Sequence, residues 1–128
     1  MKKLLTFLTT ALVAVTAYAG EYPDISVGEL KTAIDQKKAT VIDVNGSDSF
    51  QKGHIPGAVD FSAKKAELAK VLPEDKNALV VAYCGGPSCG AYAAAAKAAK
   101  ELGYKNVKHL SAGISGWKEA GNKLEAAK

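Results

Sequence analysis

At 128 residues, 48% hydrophobic and 23% charged, the chain is long enough for one globular domain with its own core and leaves little room for a second. The basic residues are all lysines, scattered rather than blocked, and the chain's net charge of +4 gives no footprint for nucleic acid. Without a single arginine there is no guanidinium fork for bidentate capture of a phosphate or sulfate.

Met1-Lys2-Lys3 is a positive start, Leu4 to Ala17 carries no charge, and Ala17-Tyr18-Ala19 is a small-x-small cleavage pattern. Residues 1–19 therefore read as a secretory signal peptide. A retained anchor is the competing reading, but the apolar run is short for a bilayer span and the small-residue site follows it directly. The expected organisation is a domain over residues 20–121 and a polar tail over 122–128 that frays. The mature protein is expected to be near neutral, periplasmic or secreted, and free of the membrane. Export would place both cysteines in an oxidising compartment, where disulfides persist.

Ser26-Val27-Gly28-Glu29 is a capping box, and Leu30, Ala33 and Ile34 continue at helical spacing, so a helix is expected over Val27 to Lys37. Ala39 to Val44 reads as a buried strand. Asn45 to Asp48 breaks it, and Ser47 is placed to cap a short helix ending near Gly53. His54-Ile55-Pro56-Gly57 is a turn, and Ala58 to Phe61 suffices for a short strand. Ser62 to Leu72 is helical by composition and stops at Pro73.

Ala78 to Tyr83 is a continuous apolar run, as expected for the centre of a parallel sheet. Helical composition resumes from Gly90 to Leu102, with Gly103 as its stop. Asn106 to Leu110 is a last strand, and Gly113 to Ala120 a last helix carrying Trp117. Strands and helices alternate throughout, the mark of an α/β sandwich.

Both cysteines lie in Cys84-Gly85-Gly86-Pro87-Ser88-Cys89-Gly90, between the central strand and the Ala-rich helix. A strand, a glycine-rich turn and a helix N-terminus in that order make an anion site, because successive backbone N–H groups converge and the first helical turn adds partial positive charge. The same field favours a thiolate at Cys84, lowering its pKa from the free value of about 8.5. In open α/β sheets ligands bind beyond the carboxyl ends of the strands, where this loop lies.

The segments Ile42-Asp43-Val44-Asn45, Phe50, and Gly53-His54-Ile55-Pro56-Gly57-Ala58 resemble the opening signature of the rhodanese (sulfurtransferase) family. Val80 to Cys84 with its six-residue loop resembles that family's active-site segment. Gly103-Tyr104-Lys105-Asn106-Val107 and Ala112-Gly113-Ile114-Ser115-Gly116-Trp117 resemble its closing motifs. The match covers residues 22 to 121.

This resemblance implies a rhodanese-like α/β fold, with a five-stranded, mainly parallel sheet flanked by helices on both faces. It also implies sulfur transfer without a cofactor. A Cys84 thiolate would take the outer sulfur of a small anion such as thiosulfate, become a persulfide, and pass the sulfur to cyanide, a small thiol or a protein thiol. Residues Gly85, Gly86, Pro87, Ser88, Cys89 and Gly90 would form the substrate-binding loop. Two positions depart from the pattern. Asn45 stands where an arginine is usual, and no basic residue lies in the loop, so only backbone amides and Ser88 are left for a sulfonate. Cys89 occupies the last loop position, where a hydroxyl or other polar residue is usual. A thiol there is a candidate redox partner, able to resolve a persulfide on Cys84 or protect it from over-oxidation.

Other readings stay open. Cys84 as an inert buried cysteine has no use for the glycines around it, and the pair as a static staple would close only a small ring. Two thiols at this spacing lack the further ligands of a metal site. A dithiol–disulfide carrier, or a non-catalytic anion-binding module, would use the same loop. His54, His109 and Asp43 read as structural, hydrogen-bonded groups, and Trp117 as core.

Overall fold

The computed structural model describes residues 22–126, so the expected signal peptide lies outside the described residues. Helix α1 (Val27–Asp35) starts at the capping box: the Ser26 hydroxyl accepts from the Glu29 N–H at 3.0 Å and Glu29 Oε1 accepts from the Ser26 N–H at 3.1 Å. It ends two residues earlier than expected because Lys37 turns left-handed at φ 60°. Strand β1 (Ala39–Asp43) follows, then α2 (Ser47–Lys52) and the two-residue β2 (Val59–Asp60). Ser47 is not the cap of α2. That position belongs to Gly46, and the Ser47 hydroxyl donates to Asp60 at 2.6 Å.

The single helix expected over Ser62 to Leu72 is broken into α3 (Phe61–Lys64), a 3-10 turn (Lys65–Glu67) and α4 (Leu68–Val71). No residue from Ser62 to Glu67 is buried, so tertiary packing does not hold the run to one α-helical course. Strand β3 (Leu79–Tyr83), α5 (Tyr92–Glu101), β4 (Asn106–His109) and α6 (Gly113–Glu119) complete the domain.

Among the described residues the sheet has four strands rather than five, all parallel, in the order β2-β1-β3-β4. Among the described residues a fifth contributor makes one bridge, Asp24 beside His109. The His109 N–H donates to Pro23 O and the Ile25 N–H to His109 O. Pro23 has no N–H with which to continue the ladder.

Alternation along β3 divides the core in two. Val80 and Ala82 join Ile42 in a layer with Leu68, Leu72, Tyr92, Ala95, Ala96 and Ala99, which sets α4 and α5 on one face. Val81 and Tyr83 join Val41 in a layer with Leu30, Ile55, Leu110 and Trp117, which sets α1 and α6 on the other. Helices therefore cover both faces, and β3 reads as a buried apolar run for that reason.

The tail does not fray where it is described. The His54 N–H donates to Glu125 O and the Glu125 N–H to His54 O, each at 2.8 Å, and Trp117 Nε1 donates to Lys123 O at 2.8 Å. Among the described residues no helix is long and apolar enough to cross a membrane.

Candidate active site

Strand order reverses direction between β1 and β3: from β1 the chain runs outward to β2, and from β3 it runs the other way to β4. The carboxyl ends of these two central strands form the crevice where open α/β sheets hold ligands. Asn45 leaves β1 there and Cys84 leaves β3. Asn45 Oδ1 lies 3.9 Å from the point a side-chain carbon on Gly85 would occupy.

Cys84 is 2% exposed and belongs to the same layer as Val80 and Ala82, toward α5. Gly85, Gly86 and Cys89 are half-buried, while Pro87, Ser88 and Gly90 are exposed. The loop therefore runs from a buried base at Cys84 to an open rim. Helix α5 starts at Tyr92, two residues beyond the expected Gly90, and no side chain caps it.

What orients the loop is α6. The Ile114 N–H donates to Cys84 O and the Ser115 N–H to Gly85 O, each at 3.0 Å. In a trans peptide the C=O and the N–H point in opposite directions, and no peptide bond among the described residues is cis. Fixing these two carbonyls on α6 turns the N–H groups of Gly85 and Gly86 away from that helix. Neither N–H donates to a backbone carbonyl among the described residues. The Cys89 N–H, by contrast, is spent on Gly86 O at 3.1 Å and is not available to an anion.

Gly113 makes this contact sterically feasible. It adopts φ 65°, and a Cβ there would sit 2.5 Å from Gly85 C and 2.6 Å from both Gly85 O and Gly86 N. The sequence shows Gly113 only as part of a closing motif. Its role against the Gly85–Gly86 peptide is not visible until α6 is placed beside the loop.

Cys84 and Cys89 are joined by a disulfide, with Cα atoms 6.3 Å apart. Gly86-Pro87-Ser88-Cys89 forms a turn closed by the Cys89 N–H to Gly86 O bond, with proline at the second position where its fixed φ fits. That turn brings the rim cysteine back over the base cysteine.

The remaining polar candidates are occupied elsewhere. Asp43 is fully buried, accepts from the Asn45 N–H at 2.7 Å and from the Tyr83 hydroxyl, while Tyr83 accepts from the Ile55 N–H at 3.1 Å. Burial raises the Asp43 pKa above the ordinary carboxylate value, against the Tyr83 and Asn45 hydrogen bonds that lower it. Burial and the neighbouring Asp43 together push the Tyr83 hydroxyl far up. Tyr83 packs in the layer on the α6 side, opposite to Cys84, which keeps this network away from the sulfur.

His54 is buried, stacks on Phe50 at 3.7 Å between ring centroids, and places Nδ1 2.7 Å from Phe50 O. His109 is buried, stacks on Tyr92 at 3.4 Å, and its Nε2 has no partner among the described residues. Burial lowers its pKa, and the nearby Asp24 pulls weakly the other way. Among the described residues no cluster of three or more His, Cys, Asp or Glu side chains is placed to hold a metal.

Lys52 of α2 and Lys118 of α6 line, with Asn45, Ser49 and Ile114, an open cavity of about 310 Å³ that none of residues 84–90 lines.

Comparison with known proteins agrees with this architecture. The chain is 31% identical over 102 residues to the thiosulfate sulfurtransferase GlpE of Shewanella oneidensis, a match covering 77% of this chain and 95% of that one. It is 35% identical over 118 residues to an HTH-type transcriptional regulator of Mycobacterium tuberculosis, but spans only half of that protein's length. A rhodanese-related protein from Thermoplasma volcanium superposes with a TM-score of 0.62 at 25% identity, covering 81% of this chain and 98% of that one. The 3-mercaptopyruvate sulfotransferase SseA from Escherichia coli shares the fold, with a TM-score of 0.67 at 19% identity over 82% of this chain and 50% of that one. The model of the rhodanese-like domain family matches residues 26–120, and the chain belongs to that family.

Proposed function

We propose that the protein is an exported sulfurtransferase that carries sulfane sulfur as a persulfide on Cys84. The observation that carries this reading is the position of Cys84. Its sulfur stands at the carboxyl end of the central strand, in the layer toward α5, while α6 turns the Gly85 and Gly86 amides away from itself. Thiosulfate attack balances simply. The Cys84 thiolate forms a bond to the outer sulfur, the S–S bond of thiosulfate breaks, and sulfite leaves with the electron pair. The persulfide's negative charge then rests where the amides can stabilise it.

Backbone amides and Ser88 are all the loop offers a sulfonate. The donor is accordingly a small sulfane anion, and the acceptor is cyanide, a small thiol or a protein thiol. Export rests on residues 1–19 alone, and a mature N-terminus at Gly20 in the exported fraction is its check.

Mass spectrometry of Cys89→Ser protein, reduced and then treated with thiosulfate, tests the activity. The expected result is a gain of about 32 Da, one sulfur atom, on Cys84. Cys84→Ser should abolish it. Reduced Cys89→Ser protein that gains no sulfur on Cys84 would overturn the reading.

A further inference from the structure

Three features of the loop go beyond a single-cysteine transferase. Cys89 is already bonded to Cys84. The Gly86-Pro87-Ser88-Cys89 turn holds it there, closed by its own N–H on Gly86 O. Exposure is also unequal, with Cys84 at 2% and Cys89 half-buried on the rim.

We propose that Cys89 is the resolving thiol of this site, expelling the sulfur carried by Cys84 as hydrosulfide and leaving the loop disulfide as the product state. The proposal rests on the persulfide reading above. In the step itself, Cys89 sulfur attacks Sγ of Cys84 in the persulfide, forming the Cys84–Cys89 bond and breaking the bond to the terminal sulfur. That sulfur departs with the electron pair and the proton of the Cys89 thiol, as HS⁻. The sulfane sulfur is reduced by two electrons and the two cysteines are oxidised by two.

Resetting the site takes two equivalents of a thiol reductant, or one dithiol. Because Cys84 is shielded, the reductant's thiolate attacks Cys89. Cys84 then leaves as the thiolate, the form that the amides of Gly85 and Gly86 favour. A second thiolate releases Cys89 and completes the reductant's own disulfide. With thiosulfate as donor, the full cycle consumes two thiols and yields sulfite, hydrogen sulfide and a disulfide. Cysteine at the end of the loop thus makes the enzyme a sulfane-sulfur reductase coupled to a thiol pool.

The test is a single turnover of reduced protein, freed of reductant and given one equivalent of thiosulfate. Wild type should release about one hydrosulfide per chain and end about 2 Da lighter than the dithiol. Cys89→Ser should release none and keep the added sulfur on Cys84. Alkylation after brief exposure of the oxidised protein to glutathione should map the mixed disulfide to Cys89. Stable persulfide on wild-type Cys84, equal hydrosulfide from Cys89→Ser, or a mixed disulfide on Cys84 would each overturn the proposal while leaving persulfide formation intact. Failure of Cys89→Ser to gain any sulfur would instead remove the underlying sulfurtransferase reading, and this proposal with it.

Discussion

Gly113→Ala probes whether α6 positions the loop. Its φ of 65° is in the left-handed region, where an L-residue costs roughly 1–2 kcal/mol. The added Cβ would also lie 2.5 Å from Gly85 C and 2.6 Å from Gly85 O and Gly86 N. These are backbone atoms, already tied to α6 by the Ile114 and Ser115 N–H groups, so relief requires moving the loop itself. Overpacking of this kind costs about 1–3 kcal/mol, for a total of roughly 2–5 kcal/mol. Gly121→Ala is the matched control, because Gly121 has φ 86° with nothing within 4 Å of its missing Cβ, so only the backbone cost applies. Urea denaturation of both variants isolates the contact with the loop as the difference between them. Sulfur loading on Cys84, measured per folded molecule in a Cys89→Ser background, should fall in Gly113→Ala and hold in Gly121→Ala. Equal destabilisation of the two, or wild-type loading by Gly113→Ala, would refute the claim that α6 sets the loop's geometry.

Tyr83→Phe removes a donor to buried Asp43 and the acceptor of the Ile55 N–H, and should destabilise the domain by about 1–3 kcal/mol in urea titrations. Burial already holds the Asp43 pKa above its unfolded value, so its ionisation lowers stability as pH rises through the folded pKa. Losing the Tyr83 hydrogen bond raises that pKa further, so the variant should lose more stability at neutral pH than near pH 4. His109→Phe keeps a ring on Tyr92 and removes a group whose folded pKa is depressed by burial. Such a group contributes stability above its unfolded pKa and loses it as pH falls through the folded one. Wild type should therefore lose stability relative to His109→Phe below about pH 6.5, by at most about 1.4 kcal/mol per pH unit. A constant difference between the two across that range would contradict the burial argument.

The sheet was legible where the local signal and the tertiary environment agree. Residues 79–83 are apolar without interruption because both faces of β3 are covered, and the run ends in glycines because the chain must turn under a helix. Asp43 could be read as a satisfied buried group because a carboxylate closing an apolar strand has no other stable state. Composition misleads at Ser62 to Leu72, where the helix formers from Ser62 to Glu67 lie on the surface and burial begins at Leu68. It misleads again in the tail, whose order comes from backbone pairing of Glu125 with His54, 71 positions apart in the chain. Nothing local encodes that pairing. The cysteine spacing left staple and nucleophile both open, and the disulfide is compatible with either. Gly113 was visible as a glycine but not as a site residue, since its constraint is a peptide 28 positions upstream.

The two layers of the core divide stability from chemistry, and α6 is where they meet. Tyr83, Asp43 and Ile55 form one hydrogen-bonded unit, and Tyr83 and Ile55 pack in the layer beneath α1 and α6. Cys84, one residue after Tyr83, sits in the layer beneath α5. A change in the Tyr83 network should therefore alter how many molecules are folded without altering what each folded molecule does to sulfur. Helix α6 belongs to the first layer through Trp117, yet its leading N–H groups hold the Cys84 and Gly85 carbonyls. Damage there has no such separation, because the contacts that stabilise the helix are the ones that aim the loop amides. Loading per folded molecule thus distinguishes the two classes: unchanged in Tyr83→Phe, reduced in Gly113→Ala, even where their urea midpoints coincide.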